Sequence, residues 1–307
     1  MTYVFSIQKE QLEQFLDFYQ DSLQEPKAPH VLAFISAPDL TITVFSSLKV
    51  SLQGKNAYED YLMWSAIFDF EPVEKEITVQ VALERKLMFL NESTIGSDEV
   101  GTGDFYGPVV VCAAFVERSQ IDQIRALGVA DSKKLNDEVI QKIAHDLEKY
   151  IQYHVLVLPN PKYNELVNEG FNLNKIKAYL HNHAILKLKQ SLSLKVDRVI
   201  IDEFCSKKLY FEYLKEREYY SDITFLQKAE DQSISVACAS ILARNRFLQE
   251  MEKLSSTLGI LLPKGASIAV DMIGKRIALE KGFEIFKEIA KVHFKNYDKI
   301  KELMNIK

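Results

Sequence analysis

Residues 96–116 read GSDEVGTGDFYGPVVVCAAFV, and this stretch decides the fold. Val109 to Val116 is an unbroken apolar run of strand length, and a run this short cannot span a bilayer. Ahead of it, Thr94 to Glu99 reads as a second strand. Between the two lie Gly101, Gly103 and Gly107, which make the connection short and Gly-rich. Downstream, strands are expected at Tyr153 to Leu158, Val196 to Ile201 and Asp222 to Gln227. Helices are expected at Asp137 to Tyr150, Asn174 to Gln190, Ser233 to Lys253 and Gly282 to Ile289. Two strands and a tight turn followed by alternation predict an α/β domain: a mixed sheet flanked by helices.

Upstream the pattern differs. Residues 6–24 have helical spacing, with Leu12, Phe15, Leu16 and Tyr19 on one face. From His30 the period falls to two: a strand to Ile35 precedes Leu40, Ile42 and Val44, then Leu48, Val50 and Leu52, a hairpin closing at Gly54. A helix over Ala57 to Phe68 follows, then an acidic linker. The reading is a small α+β domain over 1–85 ahead of a catalytic domain over 86–307.

The 307 residues are 47% hydrophobic and 26% charged, ordinary for a folded chain. The three cysteines lie far apart, without metal-ligand or disulfide spacing, which fits a reducing interior. No signal peptide or membrane span is expected, so the expected location is cytoplasmic. The formal charge of −5 is uneven: residues 1–80 carry 5 Lys against 12 Asp and Glu, the remainder 33 basic against 31 acidic side chains. Phosphate binding needs a local basic stripe, so this balance neither requires nor excludes nucleic acid.

Three acidic positions carry the chemistry. Asp98 and Glu99 are adjacent, and on a regular strand adjacent side chains face opposite ways. The expectation is that the glycines release the strand end and let both acids converge; the bland reading is a solvated acidic turn. Asp202 follows Val199-Ile200-Ile201, emerging at the carboxyl end of a buried strand, where sites of α/β sheets gather. It could equally cap the next helix. Glu230 precedes a helix rich in small residues, Ala237, Ala239, Ser240 and Ala243. Such a helix can press tightly on a sheet and hold a ligand rigid, although an acid there also fits a helix N-terminus.

Taken with DSKKL at 131–135, IDEF at 201–204, KAE before SVACASILAR at 228–244, and LPKGA at 262–266, the opening block resembles the ribonuclease HIII family. The resemblance spans about residues 95–296. It implies a ribonuclease H-like fold preceded by a domain similar to half of a TATA-box-binding protein. Two positions set it apart from the sister family, ribonuclease HII: Thr102 stands where that family usually has arginine, and Glu230 where it usually has aspartate.

What the resemblance implies is a metal-dependent endonuclease that cuts the RNA strand of an RNA–DNA hybrid, leaving 5′-phosphate and 3′-hydroxyl ends. Asp98, Glu99, Asp202 and Glu230 would be both catalytic and metal-binding, with Asp98 and Asp202 shared between two ions. Hard oxygen donors without Cys or His point to Mg²⁺ or Mn²⁺. Gly101, Thr102 and Gly103 would sense the 2′-hydroxyl, and Ser132, Lys133, Lys134 and Lys264 would face phosphates. Nothing demands a protein partner, so a monomer is expected. The alternatives weighed are cleavage at single embedded ribonucleotides and a non-catalytic hybrid binder. His181 and His183, two apart on a helix, are poor joint ligands and read as structure, as do His293, Trp64 and Phe68.

Overall fold

The computed structural model describes residues 2–26, 28–37, 39–54, 57–70, 89–129 and 135–304. The chain divides into two compact units, Met1–Val81 and Ala82–Lys307. The boundary expected at 85/86 falls outside the described residues.

In the first unit, β1 (Thr2–Ser6), β2 (Leu23–Gln24), β3 (Val31–Ala37), β4 (Leu40–Phe45) and β5 (Lys49–Gly54) form an antiparallel sheet in the order β1-β5-β4-β3-β2. The period-two reading holds: Leu40, Ile42 and Val44 are buried while Thr41, Thr43 and Phe45 are half-buried. On the buried face lie α1 (Gln11–Phe18) and α2 (Ala57–Ile67), with Phe15 and Trp64 packed among Phe5, Ile35 and Leu52. The Trp64 indole N–H donates to the Tyr19 hydroxyl at 2.9 Å. The helix expected over 6–24 shrinks to Gln11–Phe18. Phe5 and Ile7 are buried about exposed Ser6, and β1 takes the edge beside β5. Tertiary pairing there overrides helical spacing.

The second unit is built on β6 (Thr94–Val100), β7 (Val109–Val116), β8 (Gln152–Leu158), β9 (Arg198–Asp202) and β10 (Ile223–Leu226), in the order β10-β9-β6-β7-β8. Strands β6, β7 and β8 are antiparallel; β9 and β10 run parallel to β6. The helices are α3 (Ile121–Ala126), α4 (Asp137–Tyr150), α5 (Asn160–Asn168), α6 (Leu173–Ser191), α7 (Lys207–Leu214), α8 (Ile234–Leu258), α9 (Ile268–Lys281), α10 (Phe286–Ile289) and α11 (Lys295–Leu303). This is the mixed, helix-flanked sheet that the opening stretch predicts. Every residue of β7 is buried because both of its faces are covered. Val110, Cys112 and Ala114 join the cluster containing α4 and α8, whereas Val111, Ala113 and Phe115 join that of α6 and α7. The α3, α5, α7, α9 and α11 helices are absent from the sequence reading; each is short or, like α9, exposes apolar residues such as Ile268 and Met272. Among the described residues, no helix is long and apolar enough to cross a membrane.

The close approach of α8 rests on Gly96. A Cβ at this position would lie 2.1 Å from the backbone nitrogen of Val236 and 2.3 Å from the carbonyl carbon of Ser235. With no side chain there, α8 lies directly on β6, and the Thr94 hydroxyl donates to the Ser235 hydroxyl at 2.8 Å.

Candidate active site

The β6–β7 ladder continues through Asp98↔Cys112, Glu99↔Val111 and Val100↔Val110. The backbone therefore does not swing free at the acids, contrary to the sequence expectation. Regular pleating sends Asp98 to the α8 face and Glu99 to the α6 face. The glycine release begins only at Gly101, where φ is +93°.

On the α8 face, Asp98 is half-buried and bonded to the Ser240 side chain, and its own carboxylate accepts from the Glu99 N–H at 2.8 Å. Burial, then the charges of Glu99 and Glu230, push its pKa up to about 7. Strand β9 is parallel to β6 with Ser97 opposite Ile201, so Asp202 follows one position on, beside Asp98. The pKa of Asp202 is raised by burial and by the charges of Glu230 and Glu99, against the opposing hydrogen bond from Ala229. That bond, Ala229 N–H to Asp202 Oδ1 at 2.8 Å, ties β9 to the 3₁₀ turn Ala229–Asp231 that carries Glu230. The turn is entered through Lys228 in the left-handed region at φ +53°, a conformation that non-glycine residues adopt sparingly and that fixes the direction of the chain into Glu230.

On the α6 face, Glu99 meets two basic side chains that the sequence reading missed. One oxygen pairs with the Lys177 ammonium; the other contacts His181 Nε2 at 2.9 Å. His181 is fully buried, and its Nδ1 lies 2.8 Å from the Ser97 hydroxyl, which donates its single proton to the Cys112 carbonyl at 2.9 Å. Burial works against the Glu99 charge, but the His181 bond and charge, followed by Lys177, outweigh it and hold the carboxyl down at about 2. Phe204 of the IDEF motif packs against this pair. The Lys177 Nζ lies 4.1 Å from its ring centre, and the His181 ring stacks on it at 5.3 Å. Lys177 and His181 are four apart on α6, a one-face spacing legible in the sequence. His183, as expected, does not join His181; it lines a separate surface pocket with Lys187 and Arg217.

The four acids thus influence one another electrically around the β6–β9 edge and the Ala229–Asp231 turn. Among the described residues, however, no three Asp, Glu, His or Cys side chains are already gathered around one point suited to a metal ion. The donor set still fits a hard cation. Carboxylate oxygens are the donors, and among the described residues the half-buried Asp98 has no ion pair such as Lys177 gives Glu99.

Of the candidate substrate contacts, Ser132, Lys133 and Lys134 lie outside the described residues. Gly101 is buried, and a Cβ there would strike the Pro108 carbonyl oxygen at 2.2 Å, so this glycine shapes the turn. Thr102 is half-buried beside it. Gly103 is the open member: nothing lies within 4 Å of a Cβ built there. Lys264 pairs with Asp137, which also accepts from Arg244 Nη2 at 2.8 Å. Asp104, passed over in the sequence, accepts from the Gly265 N–H at 2.6 Å and so joins the glycine turn to the LPKGA loop.

Comparison with known proteins agrees with this geometry. Residues 95–297 match the family model described as Ribonuclease HII, and residues 2–67 match a domain of unknown function, DUF3378. The chain is 42% identical to Ribonuclease HIII of Geobacillus kaustophilus (strain HTA426), over 97% of this chain and 96% of that protein. It is 38% identical to Ribonuclease HIII of Bacillus subtilis (strain 168), over 99% and 98%. Among solved structures, Bst-RNase HIII in complex with Mn²⁺ superposes with a TM-score of 0.71 at 39% identity, covering 100% of this chain and 99% of that one. Ribonuclease H2 from Pyrococcus horikoshii OT3, at 24% identity and TM-score 0.59, shares the fold over 70% of this chain. With near-complete coverage of both partners and the acidic motifs falling inside the matched region, the chain belongs to the ribonuclease HIII family.

Proposed function

We infer that this protein is a metal-dependent endoribonuclease that hydrolyses the RNA strand of RNA–DNA hybrids, with Asp98, Glu99, Asp202 and Glu230 as its catalytic and metal-binding acids. One observation carries the assignment of the site. Asp98 is a half-buried carboxyl whose pKa is pushed up to about 7 by burial and by neighbouring acids, an arrangement that a bound cation relieves. We propose Mg²⁺ as the working metal, with Mn²⁺ as substitute and two ions in the site. Bound there, divalent ions lower the pKa of water and offset charge developing on phosphate oxygens. Asp98 and Asp202 would serve both ions, with Glu230 and Glu99 on the outer sides.

The chain's own groups do the rest. Ser240 and the Glu99 N–H hold the Asp98 carboxylate in one orientation. Ala229 holds that of Asp202. Lys177 and His181 fix Glu99, so the ligands are oriented by partners on opposite faces of the sheet. Gly101, Thr102 and Gly103 present backbone groups to the ribose 2′-hydroxyl, and Lys264, with the lysines of the DSKKL segment, faces phosphates. One chain supplies all four acids, and a monomer is the active form.

The test uses labelled RNA–DNA hybrid, matched DNA duplex and a duplex with one embedded ribonucleotide, each with Mg²⁺, Mn²⁺ or chelator. The expected result is cutting of the hybrid's RNA strand into 5′-phosphate and 3′-hydroxyl products, abolished by chelator. Metal-independent cutting sinks the site assignment. Preferential cutting at the lone ribonucleotide sinks the substrate assignment.

The small unit would add hybrid affinity through the solvent side of its sheet. Ser36, Thr41 and Gln53 align across three strands on that side, and Thr43 follows in β4. Hydroxyl and amide contacts to the sugar–phosphate backbone need little positive charge, which suits a unit with 5 Lys against 12 acids over residues 1–80. Deleting residues 1–85 is expected to raise the hybrid Kd by about tenfold or more, a loss of ~1.4 kcal/mol, while chelator-sensitive cutting persists. Unchanged Kd in a binding titration refutes this role.

A further inference from the structure

Lys291, in the segment between α10 and α11, is fully buried, yet its ammonium makes no ion pair among the described residues. Its Nζ donates instead to two backbone carbonyls, Asp104 O at 2.8 Å and Gly107 O at 2.6 Å. Both carbonyls belong to the loop that directly follows the Gly101–Gly103 turn. Burial pulls the Lys291 pKa down to about 7 against the opposing charge of Asp104, which is a sign of how costly this enclosure is. Apolar side chains fill space without such a cost, so packing alone does not account for a lysine here.

The same loop is held from other directions. The Lys291 N–H donates to Phe105 O at 2.8 Å and the Gly107 N–H to Ile289 O at 2.9 Å, forming an antiparallel bridge at Tyr106 and Ala290. The Phe105 N–H donates to Gly265 O at 2.9 Å, and Asp104 Oδ1 accepts from the Gly265 N–H. Asn160 Nδ2 shares the Gly107 carbonyl at 2.8 Å. On the other side of the turn, Gly101 is wedged against Pro108 and Phe247. Between these fixed ends Gly103 is exposed, with nothing within 4 Å of a Cβ built on it.

We propose that Lys291 is a positioning residue for substrate selection, whose buried ammonium fixes the carbonyls of Asp104 and Gly107 and thereby aims the Gly101–Gly103 backbone at the ribose. This rests on reading that turn as the hybrid contact. Lys291 touches neither the acids nor the substrate. Its loss should therefore weaken recognition and leave the chemical step largely intact. Among the described residues no other donor reaches the Asp104 carbonyl, whereas Gly107 retains Asn160.

The experiment compares Lys291→Met, which keeps the side-chain length without the donors, with the unaltered protein. Amide hydrogen exchange over residues 101–107 is read beside steady-state kinetics on hybrid. The expected result is exchange at least about tenfold faster across this loop, KM raised about tenfold and kcat within about threefold. Exchange unchanged in Lys291→Met overturns the proposal. Faster exchange with unchanged KM also overturns it, and places the fault in the reading of the turn as a hybrid contact. If Lys291→Met does not fold, Lys291→Gln, which keeps an N–H donor in a shorter side chain, is read by the same two measurements. Faster exchange over residues 101–107 with raised KM supports the staple, and either one unchanged overturns it.

Discussion

Asp98→Asn is expected to lose hybrid cleavage by on the order of 10³-fold or more in kcat, while the metal-free protein becomes more stable at pH 8. The two effects have one origin. Asp98 is half-buried, and burial together with the neighbouring acids pushes its carboxyl up to about 7 in the folded chain, against an ordinary value of 3.8. Between these two values the folded state binds more protons than the unfolded state, so stability falls as pH rises from about 4 to about 7 and levels off above. Asparagine carries no charge to enclose, and its carbonyl oxygen can still accept from the Glu99 N–H. The gain at pH 8 should be roughly 2–4 kcal/mol, or a Tm higher by about 5–10 °C. Below about pH 4 the two melting curves should meet. Saturating Mg²⁺ or Mn²⁺ should raise the Tm of the unaltered protein and leave that of Asp98→Asn nearly unmoved. Thermal melts across pH 4–8 with chelator, repeated with metal, check all three. A variant that is less stable than the parent at pH 8 refutes the account of Asp98 as a charge awaiting a cation.

Some of the site was legible because its chemistry is local. Acids at strand ends, a strand too apolar to lie anywhere but the interior, and glycines beside them are all visible in residues 96–116. What the sequence hid are relations across the sheet. Adjacent Asp98 and Glu99 were expected to converge, because their partners on two different helices could not be foreseen from spacing. In the sequence His181 reads as structure and Lys177 draws no notice, since Ile176, Ile185 and Leu188 on the same helix are buried core. Their four-residue spacing was the available signal, and it lacked meaning until Glu99 was known to point at α6. Gly101 and Gly103 look alike in sequence. Only the neighbouring Pro108 carbonyl and the Phe247 ring separate a glycine that shapes the turn from one left open. The small unit's first strand was lost for a related reason. Of its five residues only Ser6 falls within the helix read over 6–24, and Thr2 to Phe5 carry no pattern long enough to read until pairing with β5 supplies the second half of the information.

Gly96→Ala should be the most damaging substitution outside the acids, although it adds one methyl group. The added Cβ would stand 2.1 Å from a backbone nitrogen and 2.3 Å from a backbone carbonyl carbon of α8, and neither can rotate aside. The helix must therefore move away from β6 by on the order of 1 Å to restore van der Waals contact. That movement opens the Thr94–Ser235 bond and the packing of Val236 on Ile200. The cost should be about 3 kcal/mol, a fall in Tm of roughly 10 °C. The chemical penalty follows from the same shift. Ser240 rides on α8 and Glu230 on the turn leading into it, while Asp98 stays on the strand. A displacement of this size at a catalytic centre costs on the order of 10²-fold in rate. Single-turnover cleavage at saturating enzyme should show the loss in the chemical step, and circular dichroism should show the helices retained. A Gly96→Ala protein that melts with the parent and cuts at the parental rate would mean that α8 does not lie on β6 as closely as the arrangement of the acids requires.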